Sequence, residues 1–281
     1  MNSAPASAPA FGLSDAERLE RYRLLQQATA QREAPLITEA GLRLMVESAT
    51  SPQRPEAFGE PLRAELEGLV QAGVIGTDGR LNPAAKDLVE AVRRPNVQLQ
   101  IEVAAGQSVR TFRAWLGYQR AVVLAQSRPA ITAADSPLDV AGRRPLTQPD
   151  YRLQAVVPGW VPVAAAQWLG LGPRESPAAS PRLPLPALFR RLGDPGTPVP
   201  GDDPVLARIW EQPMQLCVIS AEPSGERRIL LDAARAGLWL LAREDSGADA
   251  TVLAPLPAHA AWRLLLTLIV NADKARRTGP I

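Results

Sequence analysis

The chain has 281 residues, is 46% hydrophobic, and carries a formal charge of +2 from 31 basic against 29 acidic residues. That apolar content is ample for a buried core, whereas so even a balance, with no run of five or six Lys/Arg, excludes a surface built for nucleic acid. One cysteine excludes an internal disulfide, and no stretch approaches the ~18 uncharged apolar residues that cross a bilayer, so a cytoplasmic protein without membrane insertion is expected.

Residues 1–13 lack the basic and apolar regions of a signal peptide and read as a disordered leader. Ser14 and Glu17 form a capping box, and Leu19, Tyr22, Leu25 and Ala28 recur at helical spacing, which predicts a helix within 14–34. After Pro35, Thr38 caps a second helix with Leu42, Met45, Val46 and Ala49 on its face. Pro61 opens a third, striped by Leu62, Leu66, Leu69 and Val70 and ended by Gly73. Asn82-Pro83 starts a fourth, which turns Leu88 and Val92 inward and stops before Pro95.

From Val97 the period changes to two. Val97 to Val103, Val109 to Ala114 and Ala121 to Leu124 read as three strands, spaced so closely that they must pair antiparallel. Ser127 to Asp150 is a long irregular stretch, Leu153 to Val157 a further strand, and Pro162 opens a helix that Gly170 ends. A proline-rich bridge at 173–203 holds a short helix at about Pro186 to Leu192. Asp203-Pro204 then mirrors Asn82-Pro83, four strands follow between Met214 and Ala254, and Pro257 opens a last helix over 258–272 with a tail at 273–281.

Leu88 to Ala125 and Leu206 to Ala242 thus repeat one order of helix, proline stop and three strands. Pro95 falls on Pro213. With one residue lost after the proline, Gln98-Leu99 falls on Gln215-Leu216, Ile101 on Val218, Arg110 on Arg227, and Val123-Leu124-Ala125 on Leu240-Leu241-Ala242. The expected fold is α+β: two quasi-symmetric halves, 35–172 and 204–272, merging edge to edge into one antiparallel sheet flanked by helices. Merging removes two of the four sheet edges that separate halves would expose.

Residues for most enzyme chemistry are missing, and no catalytic, cofactor-binding or metal-binding set is assigned. His259, the sole histidine, stands at the start of the last helix with no nucleophile-elbow motif elsewhere, and reads as a surface residue. One His and one Cys leave zinc only carboxylates, and no phosphate-cradling glycine loop follows a strand. Cys217 sits in an apolar strand and reads as a core hydrophobe.

The six tryptophans are core residues by default, but Trp160 lies in the loop-like Pro158-Gly159-Trp160-Val161-Pro162, and Trp239, matched to Val122, is expected on an exposed sheet face. These two, with Arg143 and Arg144, form the expected partner-binding surface. A competing expectation is a small-molecule or lipid pocket between helices and sheet, lined by Trp168, Trp210 and Trp262.

The order of elements resembles the EspG chaperones of actinobacterial type VII (ESX) secretion. The resemblance runs over roughly 36–270. It is carried by the helix Leu62 to Gly73, the unit Leu88 to Val103, the strand Ala121-Val122-Val123-Leu124, Val156-Val157-Pro158 with Val161-Pro162 before a helix, and Thr251-Val252-Leu253-Ala254-Pro255 before the last helix. The chain departs from the family in the helical lead and the proline-dense bridge. What the resemblance implies is a cytosolic chaperone without enzymatic activity, which binds the helical tip of secreted PE/PPE-type substrate proteins and keeps them soluble for export.

Overall fold

A computed structural model describes residues 36–50, 59–105, 108–126, 151–172, 179–243 and 250–278. The expected lead helix at 14–34 and the stretch carrying Arg143 and Arg144 lie outside the described residues.

Polar caps set the helix starts. Thr38 Oγ1 accepts from the Gly41 N–H at 3.1 Å to open α1 (Glu39–Ser48). After α2 (Glu60–Gln71), Gly73 takes the left-handed φ of +69° that turns the chain out of the helix. Asn82 then plays two parts. Its side-chain oxygen accepts from Ala85 N–H at 2.6 Å to open α3 (Pro83–Arg93), and its amide donates to the Gly73 carbonyl. In α3 the fully buried positions are Ala85 and Val89; Leu88 and Val92, expected inward, pack half-buried at the edge of the same cluster.

The chain continues through β2 (Val97–Ala105), β3 (Ser108–Leu116), β4 (Ala121–Gln126), β5 (Tyr151–Val156), a 3-10 turn at Pro158–Trp160 and α4 (Val161–Leu169). The second half runs β6 (Arg182–Pro184), α5 (Leu185–Gly193), α6 (Pro204–Trp210), β7 (Gln215–Glu222), β8 (Glu226–Asp232), β9 (Leu238–Arg243), β10 (Ala250–Pro255) and α7 (Ala258–Thr278). A two-residue strand, β1 (Leu36–Ile37), precedes α1.

All the described strands form one sheet, in the order β1-β5-β4-β3-β2-β7-β8-β9-β10-β6, and every pairing is antiparallel. Two meanders therefore join through β2 and β7, and Ile101 pairs with Ile219 at the centre of that seam. The edge strands β1 and β6 each pair with the last strand of their own meander. At two and three residues they are too short for a period-two signal, which is why the sequence does not betray them. The proline-rich stretch at 173–203 is accordingly more than a bridge. It contributes Leu183, Ala187 and Leu188 to the core of the second half. The last helix also runs six residues beyond its expected end, to Thr278.

The strand register corrects the sequence match. Leu99 and Ile101 are fully buried under α4 and α7, whereas Leu216 and Val218, the residues matched to them, lie half-buried on the opposite face. A slip of one residue flips every side chain of a strand, so the pairing that agrees in burial is Leu99 with Cys217 and Ile101 with Ile219, the same offset as Pro95 with Pro213. Beyond these strands the registers make the second hairpin two residues shorter, Ile219–Arg228 against Ile101–Phe112, and the turn after β8 one residue longer, Leu230–Leu240 against Ala114–Val123.

Three cores result. Alternate residues of the central strands, such as Leu99, Ile101, Val103, Cys217 and Ile219, pack under α4 and α7 on one face. On the other face α1, α2 and α3 cover Trp115, Val122, Leu124 and Leu153 in the first half. There α5 and α6 cover Leu231, Trp239 and Leu253 in the second half.

Arg191 is a buried cation that ties α5 to α6. It is 8% exposed and its Nη2 donates to the carbonyls of Trp210 at 2.7 Å and Gln212 at 3.1 Å, capping the C-terminal end of α6. Arg191→Ala leaves those carbonyls without their charged donor and is expected to cost about 2–3 kcal/mol, read as a lower urea midpoint with an unchanged slope.

Candidate functional site

Because the helices of the second face gather over the two flanks, the middle of the sheet there is left uncovered by described helices. Cross-strand registers arrange this floor in rows running from β3 through β2 and β7 to β8. The row nearest the β2–β3 hairpin is Val109, Ala104 and Leu216, and it ends at Leu231, which is already buried in the core under α5 and α6; the next is Thr111, Glu102, Val218 and Ile229. The third row is Arg113, Gln100, Ser220 and Arg227. Apolar character dominates one end and hydrogen-bonding groups the other.

Exposure separates this floor from its underside. Ile101 and Ile219 are at 0%, while Glu102, Val218 and Ile229 are half-buried and Val109 reaches 56%. Two interactions order the polar end. Gln100 Nε2 donates to Glu102 Oε1 at 2.6 Å, and Arg113 Nη1 meets Glu39 Oε1 at 2.9 Å, which fastens the start of α1 to the rim of the floor. Four strands at about 4.8 Å spacing span about 14 Å between outer axes, the width that seats one α-helix of about 10–12 Å diameter.

The expected site residues are not brought together here. Trp239 is 0% exposed, sealed between β9 and the helices α5 and α6, so it is a core residue rather than a surface anchor. Its expected exposure fails because the second half covers this face with its own helices, just as Val122 is covered in the first half. Its indole N–H has no hydrogen-bond partner among the described residues. Trp160 closes the 3-10 turn before α4, half-buried, next to Val157, which is 66% exposed. Arg143 and Arg144 lie outside the described residues.

The tryptophans of the competing pocket are divided by the sheet. Trp168, whose indole N–H donates to the Gln126 carbonyl at 2.8 Å, and Trp262 belong to the α4–α7 core. Trp210 donates to the Thr197 carbonyl at 3.1 Å and belongs to the core on the opposite face. No pocket between helices and sheet can be lined by all three.

Reactive groups are sparse. His259 is exposed in the first turn of α7, and Cys217 is buried beneath that helix, where desolvation pushes its thiol well above the ordinary range and suppresses the thiolate. Among the described residues no group of three or more His, Cys, Asp or Glu is placed to hold a metal ion, and no helix is long and apolar enough to cross a membrane.

No protein-family model matches the chain, and no curated protein matches it significantly. The floor has to be judged on its own geometry. Its signal in the sequence is the alternation Gln98, Gln100, Glu102 against Leu99, Ile101, Val103: a strand at the centre of a sheet with one polar side has only one face packed against the core.

Proposed function

We propose that this protein is a cytoplasmic, non-enzymatic chaperone or adaptor that holds a helical segment of another polypeptide, in the manner of the EspG proteins of type VII secretion, with secreted PE/PPE-like proteins as its partners. The observation that carries this reading is the floor of β3, β2, β7 and β8, which the described helices leave uncovered between two helical flanks. A mixed floor of this kind, apolar toward Val109 and Val218 and polar toward Arg113 and Gln100, suits an amphipathic helix laid along it.

We read the two halves as copies related by an approximate two-fold axis through the Ile101–Ile219 pair. Supporting this, the strand registers put Ile37 on Leu183, Val122 on Trp239 and Leu153 on Leu253, and each of these residues is buried in the helix-covered core of its own half. Each copy then supplies two of the four floor strands, and the floor exists only because the copies join.

Co-expression with helical secreted proteins encoded alongside it tests the reading. The expected result is a stoichiometric complex, with Val218→Arg lowering affinity at least tenfold while leaving the melting temperature close to wild type, because a charge on the open face stays hydrated when the protein is free and is buried when the partner docks. Failure of the wild-type chain to co-purify with any such protein, or undiminished binding by the variant, contradicts it.

A further inference from the structure

A second recess lies away from the floor. It is a cleft of about 470 Å3 bounded by the last turns of α3, the β3–β4 turn and the C-terminal end of α7. Asp87, Glu90, Arg94, Arg120 and Arg276 bring three guanidinium groups and two carboxylates to it. Four of the five are already matched: Arg120 meets Asp87 at 2.7 Å and Arg94 meets Glu90 at 3.7 Å. Arg276 has no carboxylate partner among the described residues. Its guanidinium stacks over the Tyr118 ring at 5.3 Å from the centroid and donates to Tyr118 Oη at 3.1 Å.

Asn96 sits in the wall of the same cleft and is only 9% exposed. Its backbone N–H bonds the Leu116 carbonyl, yet its side-chain amide has no hydrogen-bond partner among the described residues. Asn96 is among the residues that line the cleft. Buried polar groups are normally satisfied, and one left open toward a recess marks a place for a ligand atom. Tyr118, 78% exposed, offers a free ring face beside it.

We propose that this cleft binds a small organic anion, whose carboxylate or phosphate oxygens are taken by Arg276 and the Asn96 amide while its body lies against Tyr118. One uncompensated cation sets the charge of the ligand at about one negative group, and the planar guanidinium favours an oxyanion that accepts two parallel hydrogen bonds. The exposed pairs of Arg94 and Arg120 are too weakly held to oppose a reorientation of the rim toward the ligand.

Calorimetric titration at low salt with phenyl phosphate and with phenylacetate tests this. Wild type is expected to bind at least one of them, and which one binds identifies the phosphate or the carboxylate as the natural group. Arg276→Ala, at an exposed position whose one fold contact is the exposed Tyr118, is expected to weaken binding at least tenfold; Asn96→Ala is expected to weaken it as well, and Arg235→Ala, an exposed arginine outside the cleft, to leave it unchanged. If neither compound binds wild type at about 10 mM, or if Arg276→Ala binds as tightly as wild type, the cleft is not an anion site. Because none of these residues belongs to the floor, loss of anion binding leaves the helix-holding reading standing, and the reverse is also true.

Discussion

Ile101→Asp is expected to leave the protein unfolded at room temperature, whereas Gln100→Asp, one residue earlier on the same strand, is expected to fold with a melting temperature within a few degrees of wild type. Ile101 is fully buried at the seam of the two meanders, under α7 and opposite Ile219. A carboxylate there must either stay charged without water or a partner, or be held protonated. Either outcome, added to the lost apolar burial, costs more than about 4 kcal/mol against a total stability of about 5–15 kcal/mol. Gln100 lies half-buried on the floor, where a carboxylate gives up the bond to Glu102 but stands cross-strand from the Arg113 guanidinium and keeps access to water. Circular dichroism of the two variants, with a thermal melt, reads the contrast. Similar behaviour of the pair contradicts the register of β2.

Trp239 gives the second large effect, and it is an asymmetric one. Truncation to alanine opens a cavity in the core shared by β9, α5 and α6 and is expected to cost about 3–5 kcal/mol. Trp239→Phe removes part of the ring but also deletes a buried N–H that has no partner among the described residues, although it is hydrated in the unfolded chain. That penalty, about 1–3 kcal/mol for an unsatisfied buried donor, offsets the lost contacts, and the variant is expected within about 1 kcal/mol of wild type. Chemical denaturation of both proteins checks the pair; a phenylalanine variant as damaged as the alanine one shows that the indole N–H is satisfied after all.

The same residue shows where sequence reasoning stopped. The alternation from Val97 onward reveals β2 and its pairing with β3, because period two over seven residues is a strong local signal. The joining of the halves followed from edge-strand physics, since unpaired backbone groups are costly to leave open. What a local pattern cannot carry is which helix covers which stretch of sheet. Trp239 was expected on an open face because nothing near it in the chain announces α5, a helix about fifty residues earlier that closes over it. For the same reason the two short edge strands, Leu36–Ile37 and Arg182–Pro184, were unreadable: each exists only because a distant strand offers it a partner.

The floor was half legible. Gln98, Gln100 and Glu102 show that β2 has a polar side, but the apolar side chains that join them, Val218 and Ile229, come from the other half of the chain through the β2–β7 seam. The one-residue slip in matching the two stretches hides this, because it places Val218 on Ile101 and so in the core. Only the alternation of burial in β7, with Cys217, Ile219 and Ala221 inside, restores it to the surface.

Hydrogen–deuterium exchange of the protein alone and in complex with a co-purified helical partner tests the central claim most directly. Slowed exchange is predicted across 98–104, 109–113, 216–220 and 227–229, the four floor segments drawn from both halves, with the outward side of α7 unchanged. Protection confined to one half, or to α7 while the floor exchanges as before, contradicts the account.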